Sequence, residues 1–254
     1  MKERRFQVLL GNHLSDIFDQ ENGIVQGSVL NVTLFLVVIN GLEPLTYSPK
    51  STILLFADDA FLMCPDPDPR SRSRSKFMKC IQNQLQRTLN NIQNWSNKTG
   101  FSFSATKTSL VHFCRLRRAH QDPELYLNGE RLPIHTELKF LGVTFDKALN
   151  WKPHIANLKK SVQPSLNLIR NLSQLKWNLD PTILLRLHNT LVLSKLDYGD
   201  TVYSSARASY LKTLDAIHHS GTRCAVGYYR TTPSITMIRD SGQLTLNEIR
   251  DQHV

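Results

Sequence analysis

The 254 residues (29.1 kDa) suffice for one large domain or two smaller ones with a real core. A content of 41% hydrophobic and 20% charged residues excludes a wholly disordered chain. The net charge of +10 is unevenly placed: residues 1–69 carry −5, residues 70–118 carry +11 without one carboxylate, and residues 119–254 carry +4. That stretch points to a polyanionic partner, nucleic acid ahead of a lipid surface.

Other classes fall away on the same reading. Cys64, Cys80, Cys114 and Cys224 stand far apart with no Cys-x-x-Cys pair, and the histidines show no His-x-x-x-His spacing. Reduced thiols in an intracellular protein are expected, nuclear or cytoplasmic, and neither a disulfide framework nor a zinc site. The N-terminus lacks the apolar stretch of a signal peptide. The longest apolar run, Val29 to Ile39, contains Asn31 and Thr33 and falls short of the roughly 20 residues a membrane span needs. It is expected to be a buried helix or core segment, and no membrane partner is expected.

In chain order, Arg5–Leu10 and Ser15–Phe18 flank Gly11-Asn12 and predict a hairpin. A small-residue loop, Gly23 to Ser28, leads into the run 29–39, with Ser28 placed to cap that helix. Thr52–Phe56 and Ala60–Met63 predict two strands separated by Ala57-Asp58-Asp59. Pro65, Pro67 and Pro69 break the chain before an exposed basic loop, Arg70 to Ser75. Phe77, Ile81, Leu85, Leu89, Ile92 and Trp95 then form one stripe on a helix ending near Gly100. Phe101 and Phe103 alternate towards Leu110–Phe113, a pair of strand candidates around Lys107. Asn128-Gly129 predicts a hairpin between Leu125–Leu127 and Arg131–Ile134, and Leu138 to Phe145 reads as an apolar strand.

From residue 151 the pattern is helical. Ile155, Leu158, Val162, Leu166, Ile169 and Leu172 make one stripe, and Asp180-Pro181 starts a helix whose Leu184, Leu187, Leu191 and Leu196 can face inward. A third helix runs from about Ser209 to Cys224. Residues 1–150 therefore read as α+β with an antiparallel sheet and residues 151–254 as all-α.

The chemistry-bearing feature is Asp58-Asp59. Adjacent carboxylates at a hairpin tip repel unless a cation sits between them, and magnesium takes one or two carboxylates together with substrate phosphates. Two such ions about 3.5–4 Å apart can serve an in-line phosphoryl transfer.

The surroundings are more specific. GIVQGSVLNVTLF (23–35), FADD (56–59), WSNKTGFSFSATKT (95–108), FLGVTFD (140–146) and WKPHI (151–155) occur in this order. The set resembles the reverse transcriptase of non-LTR retrotransposons, especially jockey-like elements of arthropods. SKLDYG (194–199), YSSARASYLKTLD (203–215) and RTTP (230–233) resemble the thumb and following region of that family.

This resemblance implies a partial fingers and palm over 1–150 and a helical thumb and following region over 151–254. It implies an RNA-directed DNA polymerase using Mg2+, an RNA template, a DNA primer or hybrid duplex and dNTP. Asp58 and Asp59 would be metal-binding and catalytic, and Lys107 would neutralise the departing pyrophosphate. Gln26, Gly27 and Ser28 would pack on the nascent base pair, Phe56 would shape the site, and Leu141-Gly142 would grip the primer end. The lysines and arginines of 151–199 would track the duplex backbone. The remainder of a retrotransposon polyprotein is an expected partner.

The sequence also departs from the family. Val25, Asn31-Val32 and Ser104 replace residues more usual there, and these are tolerable variants. The aspartate motif usual several dozen residues before the Gln-Gly loop is missing, because only 22 residues precede Gly23 and Asp16 and Asp19 lie in the wrong stretch. An N-terminally truncated polymerase fragment, inactive alone, is the expectation; a non-enzymatic nucleic-acid-binding remnant is the alternative.

Overall fold

The computed structural model describes residues 4–20, 29–48, 51–65, 74–114, 122–174 and 179–253. Two compact units interleave in sequence: residues 1–105 with 123–131, and residues 106–122 with 132–254.

The first unit begins with a long hairpin. Strands β1 (Arg4–Phe6) and β2 (Leu9–Leu10) return as β3 (His13–Leu14) and β4 (Phe18–Gln20), closing at Gly11 with φ +60°. Helix α1 (Val29–Ile39) has the predicted span but not the predicted burial: only Ile39 is buried, and Val29 is 87% exposed. Apolar residues occupy every side of α1, so packing within one unit can cover only the side bearing Phe35 and Ile39.

A 3₁₀ turn (Asn40–Leu45) leads to strands β5 (Thr52–Phe56) and β6 (Asp59–Met63). Helix α2 (Arg74–Thr99) then buries Leu85, Leu89 and Ile92 on the predicted stripe. It stops at Gly100, where φ is +78° and the N–H donates to the Ser96 carbonyl at 2.9 Å. Ile39, Leu42, Ile53 and Ile92 form the core beside Trp95.

Phe101 and Phe103 are not a strand, contrary to their alternation. Their rings pack on Trp95, with centroids 5.4 and 6.3 Å away. The Phe101 and Phe103 carbonyls accept from the side chains of Ser96 and Asn128, which replaces the predicted ladder. Strands β7 (Tyr126–Leu127) and β8 (Glu130–Arg131) turn at Asn128 and Gly129, with φ +54° and +80°. Gln86 of α2 holds this hairpin through both the N–H and the carbonyl of Tyr126, each at 2.9 Å.

In the second unit, residues 138–145 form a hairpin, where one strand was expected. Strands β9 (Glu137–Phe140) and β10 (Val143–Asp146) pair in antiparallel register around Leu141-Gly142, because Gly142 supplies a left-handed turn position at φ +81°. Helix α3 (Lys152–Leu172) buries Ile155, Leu158, Val162, Leu166 and Ile169 as its stripe predicts. Helix α4 (Pro181–His188) starts at Asp180, whose carboxylate accepts from the Thr182 N–H at 2.7 Å.

A π-helical turn (Asn189–Leu193) joins α4 to α5 (Ser194–Asp197), followed by α6 (Asp200–Tyr203), α7 (Ala208–Val226), α8 (Ser234–Asp240) and α9 (Leu246–Gln252). Val162, Ile169, Val192, Tyr203 and Leu214 lie at the centre of the unit's core. The architecture is thus α+β, with strands paired only as two-stranded antiparallel hairpins among the described residues, followed by a helical region. No helix among the described residues is long and apolar enough to cross a membrane.

Candidate active site

The Asp-Asp sequence sits where the strand pattern places it. Phe56 pairs with Asp59 and Leu55 with Ala60, so Ala57 and Asp58 form a two-residue turn. One face of this hairpin carries Ile53, Leu55 and Leu62 into the core of the first unit. The opposite face leaves Leu54, Met63 and Phe56 exposed, Phe56 to 60%. Ala57 adopts φ +50°, a left-handed conformation uncommon for a residue with a side chain.

Asp58 and Asp59 are both exposed at this tip. Among the described residues, no third carboxylate, histidine or cysteine joins them within metal-binding range. Two carboxylate groups suit magnesium, a hard ion that takes its remaining ligands from water and substrate phosphates.

The other sequence-predicted positions divide between the units. Gln26, Gly27 and Ser28 lie outside the described residues, as do residues 70–73 of the basic loop. Lys107 belongs to the second unit, exposed in a turn over 105–107. Leu141 and Gly142 also belong to the second unit and form the β9–β10 turn, with φ +45° and +81°. Both central residues therefore have positive φ, the geometry whose twist matches a two-residue hairpin.

The FLGVTFD and WKPHI stretches meet in space, and their polar residues are architectural. Asp146, 9% exposed, accepts from the backbone N–H of Asn150 (2.9 Å) and of Trp151 (2.7 Å). It thereby stabilises a connection in which Leu149 and Trp151 have φ +51° and +63°. His154 Nδ1 accepts from the Thr144 N–H at 3.3 Å, and burial lowers the pKa of this imidazole. Together these bonds fix β10 against the start of α3.

Sequence spacing missed a second group of metal-type donors. Ligand atoms of Asp197, Asp200 and His253 lie within 4.8 Å of one another, a set capable of coordinating a metal ion. Asp200 is buried, and its Oδ1 lies 3.2 Å from His253 Nδ1. The hydrogen bond to Asp200 raises the pKa of His253. Fifty-three residues separate the imidazole from that carboxylate, so no local motif could announce them. The group belongs to the second unit, whereas the Asp58-Asp59 turn belongs to the first.

Residues 4–145 match the family model described as reverse transcriptase (RNA-dependent DNA polymerase). The chain belongs to the reverse transcriptase family. That match includes the hairpin bearing Asp58 and Asp59, the Lys107 turn and the Leu141-Gly142 turn. Within the reverse transcriptases it is of the non-LTR retrotransposon type.

It is 26% identical over 245 residues to the RNA-directed DNA polymerase from mobile element jockey of Drosophila melanogaster, covering 91% of this chain and 25% of that protein. The corresponding jockey polymerase of Drosophila funebris is also 26% identical, over 90% of this chain and 25% of its own length. A retrovirus-related Pol polyprotein from the type-1 retrotransposable element R1 of Bradysia coprophila is 24% identical over 77% of this chain and 19% of its length. The chain spans about a quarter or less of the length of these curated relatives. No solved structure gives a significant match.

Proposed function

We propose that this chain is a polymerase-domain fragment of a retrotransposon reverse transcriptase, with residues 1–150 as partial fingers and palm and 151–254 as thumb and following region. Its work is RNA-directed DNA synthesis within a longer polyprotein. The observation that carries this reading is the Asp58-Asp59 turn, held at the exposed tip of a core-anchored hairpin inside the region matched by the family.

Asp58 and Asp59 would hold Mg2+, which when bound supplies Lewis-acid stabilisation of the attacking and leaving oxygens. Phe56, beside the turn, shapes the template–primer side of the site. Gln26, Gly27 and Ser28 receive the nascent base pair, and Leu141-Gly142 meets the primer end. Lys107 places positive charge where pyrophosphate departs, which stabilises developing charge without covalent chemistry. RNA template, DNA primer and dNTP are the partners, and spread cations of the helical region bind the hybrid through its backbone.

The chain alone does not extend a primer in this reading, since the described residues offer the Asp58-Asp59 pair no further carboxylate. Primer extension on an RNA template, with magnesium or manganese, compares the chain with Asp58→Ala. No difference is expected for the chain alone, and Asp58-dependent extension is expected when it is produced within the longer polyprotein. Extension by that polyprotein at full rate despite Asp58→Ala would overturn the catalytic assignment. Asp58-dependent extension by the chain alone would overturn its inactivity.

The same observation of an unsupported carboxylate pair favours one second reading, a non-enzymatic nucleic-acid-binding remnant. That reading requires salt-sensitive hybrid binding indifferent to Asp58→Ala, and no extension by the polyprotein.

A further inference from the structure

We propose that Tyr198 is a positioning residue that holds the Leu141-Gly142 turn in its working shape. The inference rests on the reading of that turn as a primer-end contact. Leu141 and Gly142 both occupy the left-handed region, φ +45° and +81°. A leucine does so only at a steric cost, so the turn's shape needs outside support.

Tyr198 supplies it from the turn between α5 and α6. Its hydroxyl donates to the Leu141 carbonyl at 2.8 Å. Its ring lies against the open side of Gly142, where an added Cβ would come within 3.2 Å of Tyr198 Cε1. The approach is reciprocal. Gly199 has φ +72°, and a Cβ there would stand 3.0 Å from Val143 Cγ2. A glycine on each side of the contact, Gly142 against the Tyr198 ring and Gly199 against the Val143 side chain, lets the tyrosine turn approach the hairpin closely.

Burial does not account for this placement. Tyr198 is 58% exposed, so its aromatic ring contributes little to the core. Its mounting, in contrast, is firm. The Tyr198 N–H donates to the Ser194 carbonyl at 3.2 Å, and the Gly199 carbonyl accepts from the Val202 and Tyr203 N–H groups at 3.0 and 3.3 Å. Tyr203, fully buried, donates its hydroxyl to the Leu196 carbonyl just before this turn.

The base of the hairpin is already fixed, through Asp146 and His154. Tyr198 completes the support at the tip, the end that would meet a primer. Displacing such a contact by even about 1 Å can be costly for a reaction that depends on alignment.

Hydrogen–deuterium exchange of the full chain tests the mechanical half. Tyr198→Phe, which keeps the ring and removes the hydroxyl, should speed exchange in peptides spanning residues 137–146 by about threefold or more, with α3 and α7 peptides unchanged. Tyr198→Ala should do more. Unchanged exchange in both variants overturns the proposal.

Binding tests the functional half, using an RNA–DNA hybrid with a recessed DNA 3′ end and a blunt hybrid of equal length. The wild-type chain should prefer the recessed end, and Tyr198→Phe should lose that preference while keeping its affinity for the blunt hybrid. A fall in both affinities together, or a preference intact despite faster exchange, refutes a positioning role. A wild-type chain without end preference removes the primer-end assignment of the turn and Tyr198's role there. In that case exchange still separates a held turn from a free one.

Discussion

The buried histidine pair of the second unit should make the chain sensitive to mild acid. His188 of α4 and His218 of α7 are both fully buried, with their rings stacked 5.2 Å apart. His218 Nε2 faces the Leu244 carbonyl at 3.0 Å, and a carbonyl only accepts, so that nitrogen carries the proton. His218 Nδ1 is then an acceptor, and His188 Nε2–H donates to it at 3.0 Å. The chain of donors ends at His188 Nδ1, a buried lone pair with no hydrogen-bond partner. A second proton on either ring would have no acceptor to receive its hydrogen bond.

Burial, reinforced by the neighbouring His218, pushes His188 from the ordinary 6.5 down to about 3. Burial also takes His218 down to about 4, against the opposing pull of the Leu244 carbonyl. Because both folded values lie below the unfolded one, the folded chain binds fewer protons as pH falls below the ordinary histidine value. Stability is full above that value, declines as pH falls through it, and levels off only below the two folded values.

At about pH 5 each imidazole is nearly fully protonated in the unfolded chain and neutral in the folded one. Each therefore lowers stability by about 2 kcal/mol relative to about pH 7.5, roughly 4 kcal/mol together. That is a large part of the total for an ordinary domain. Urea unfolding followed by far-ultraviolet circular dichroism at the two pH values measures it. His188→Gln, whose amide can still donate to His218 Nδ1, should remove about half of this pair's share of the pH dependence. A wild-type chain equally stable at both pH values, or a His188→Gln variant with the full slope, would refute the lowered pKa values of the pair and the energetics built on them.

Three further substitutions probe the packing and hydrogen bonding of the second unit. Gly221→Ala places a Cβ 2.3 Å from His188 Nδ1 and Cε1 and 3.1 Å from Leu166 Cδ2. It should cost about 1–3 kcal/mol in thermal or urea unfolding, and an unchanged midpoint would contradict the packing. Asp146→Ala removes the acceptor for two backbone N–H groups at a connection with two left-handed residues. A loss of about 3 kcal/mol is expected, with Asp146→Asn retaining part of it, and equal losses would argue against hydrogen bonding as the cause. Thr245→Ala dismantles the capping box with Glu248 at the start of α9 and should cost about 1 kcal/mol, read from the same unfolding curves.

Several local signals in the sequence were reliable. Asn128-Gly129, Asp180-Pro181 and the stripe on α3 each produced the element they predict. The inward side of α4 and α5 was less legible. Leu184, Leu187, Leu191 and Leu196 fit an α-helical reading, but the fully buried positions alongside Leu184 and Leu196 are His188 and Val192. These four residues recur every four positions, which drifts around an ordinary helix by about 40° per step. The π-helical turn Asn189–Leu193 absorbs that drift and carries His188 into the core. Alternation misled at Phe101 and Phe103, where ring packing on Trp95 took precedence over strand pairing. The basic excess of residues 70–118 stays largely a property of sequence, because residues 70–73 and 115–118 lie outside the described residues. Arg87 is already engaged with the Tyr47 ring at 4.6 Å.

The ordered motifs carry two kinds of constraint, and the geometry separates them. FADD leaves its carboxylates exposed at a tip while the strands behind them reach the core, an arrangement compatible with the proposed catalytic role. FLGVTFD, WKPHI and SKLDYG instead satisfy one another or the fold. Asp146 and His154 accept backbone N–H groups, Trp151 donates its indole N–H to Ser205 Oγ at 2.9 Å, and Tyr198 donates to Leu141. Motifs some fifty residues apart thus form one packed assembly around the β9–β10 hairpin, and a substitution in any of them changes the setting of the Leu141-Gly142 turn before it changes any reacting group. Loss of function in those stretches should therefore come with altered stability or exchange of the second unit. Loss at Asp58 or Asp59 should leave both unchanged, a difference that separates the scaffold from the site without any need for an active preparation.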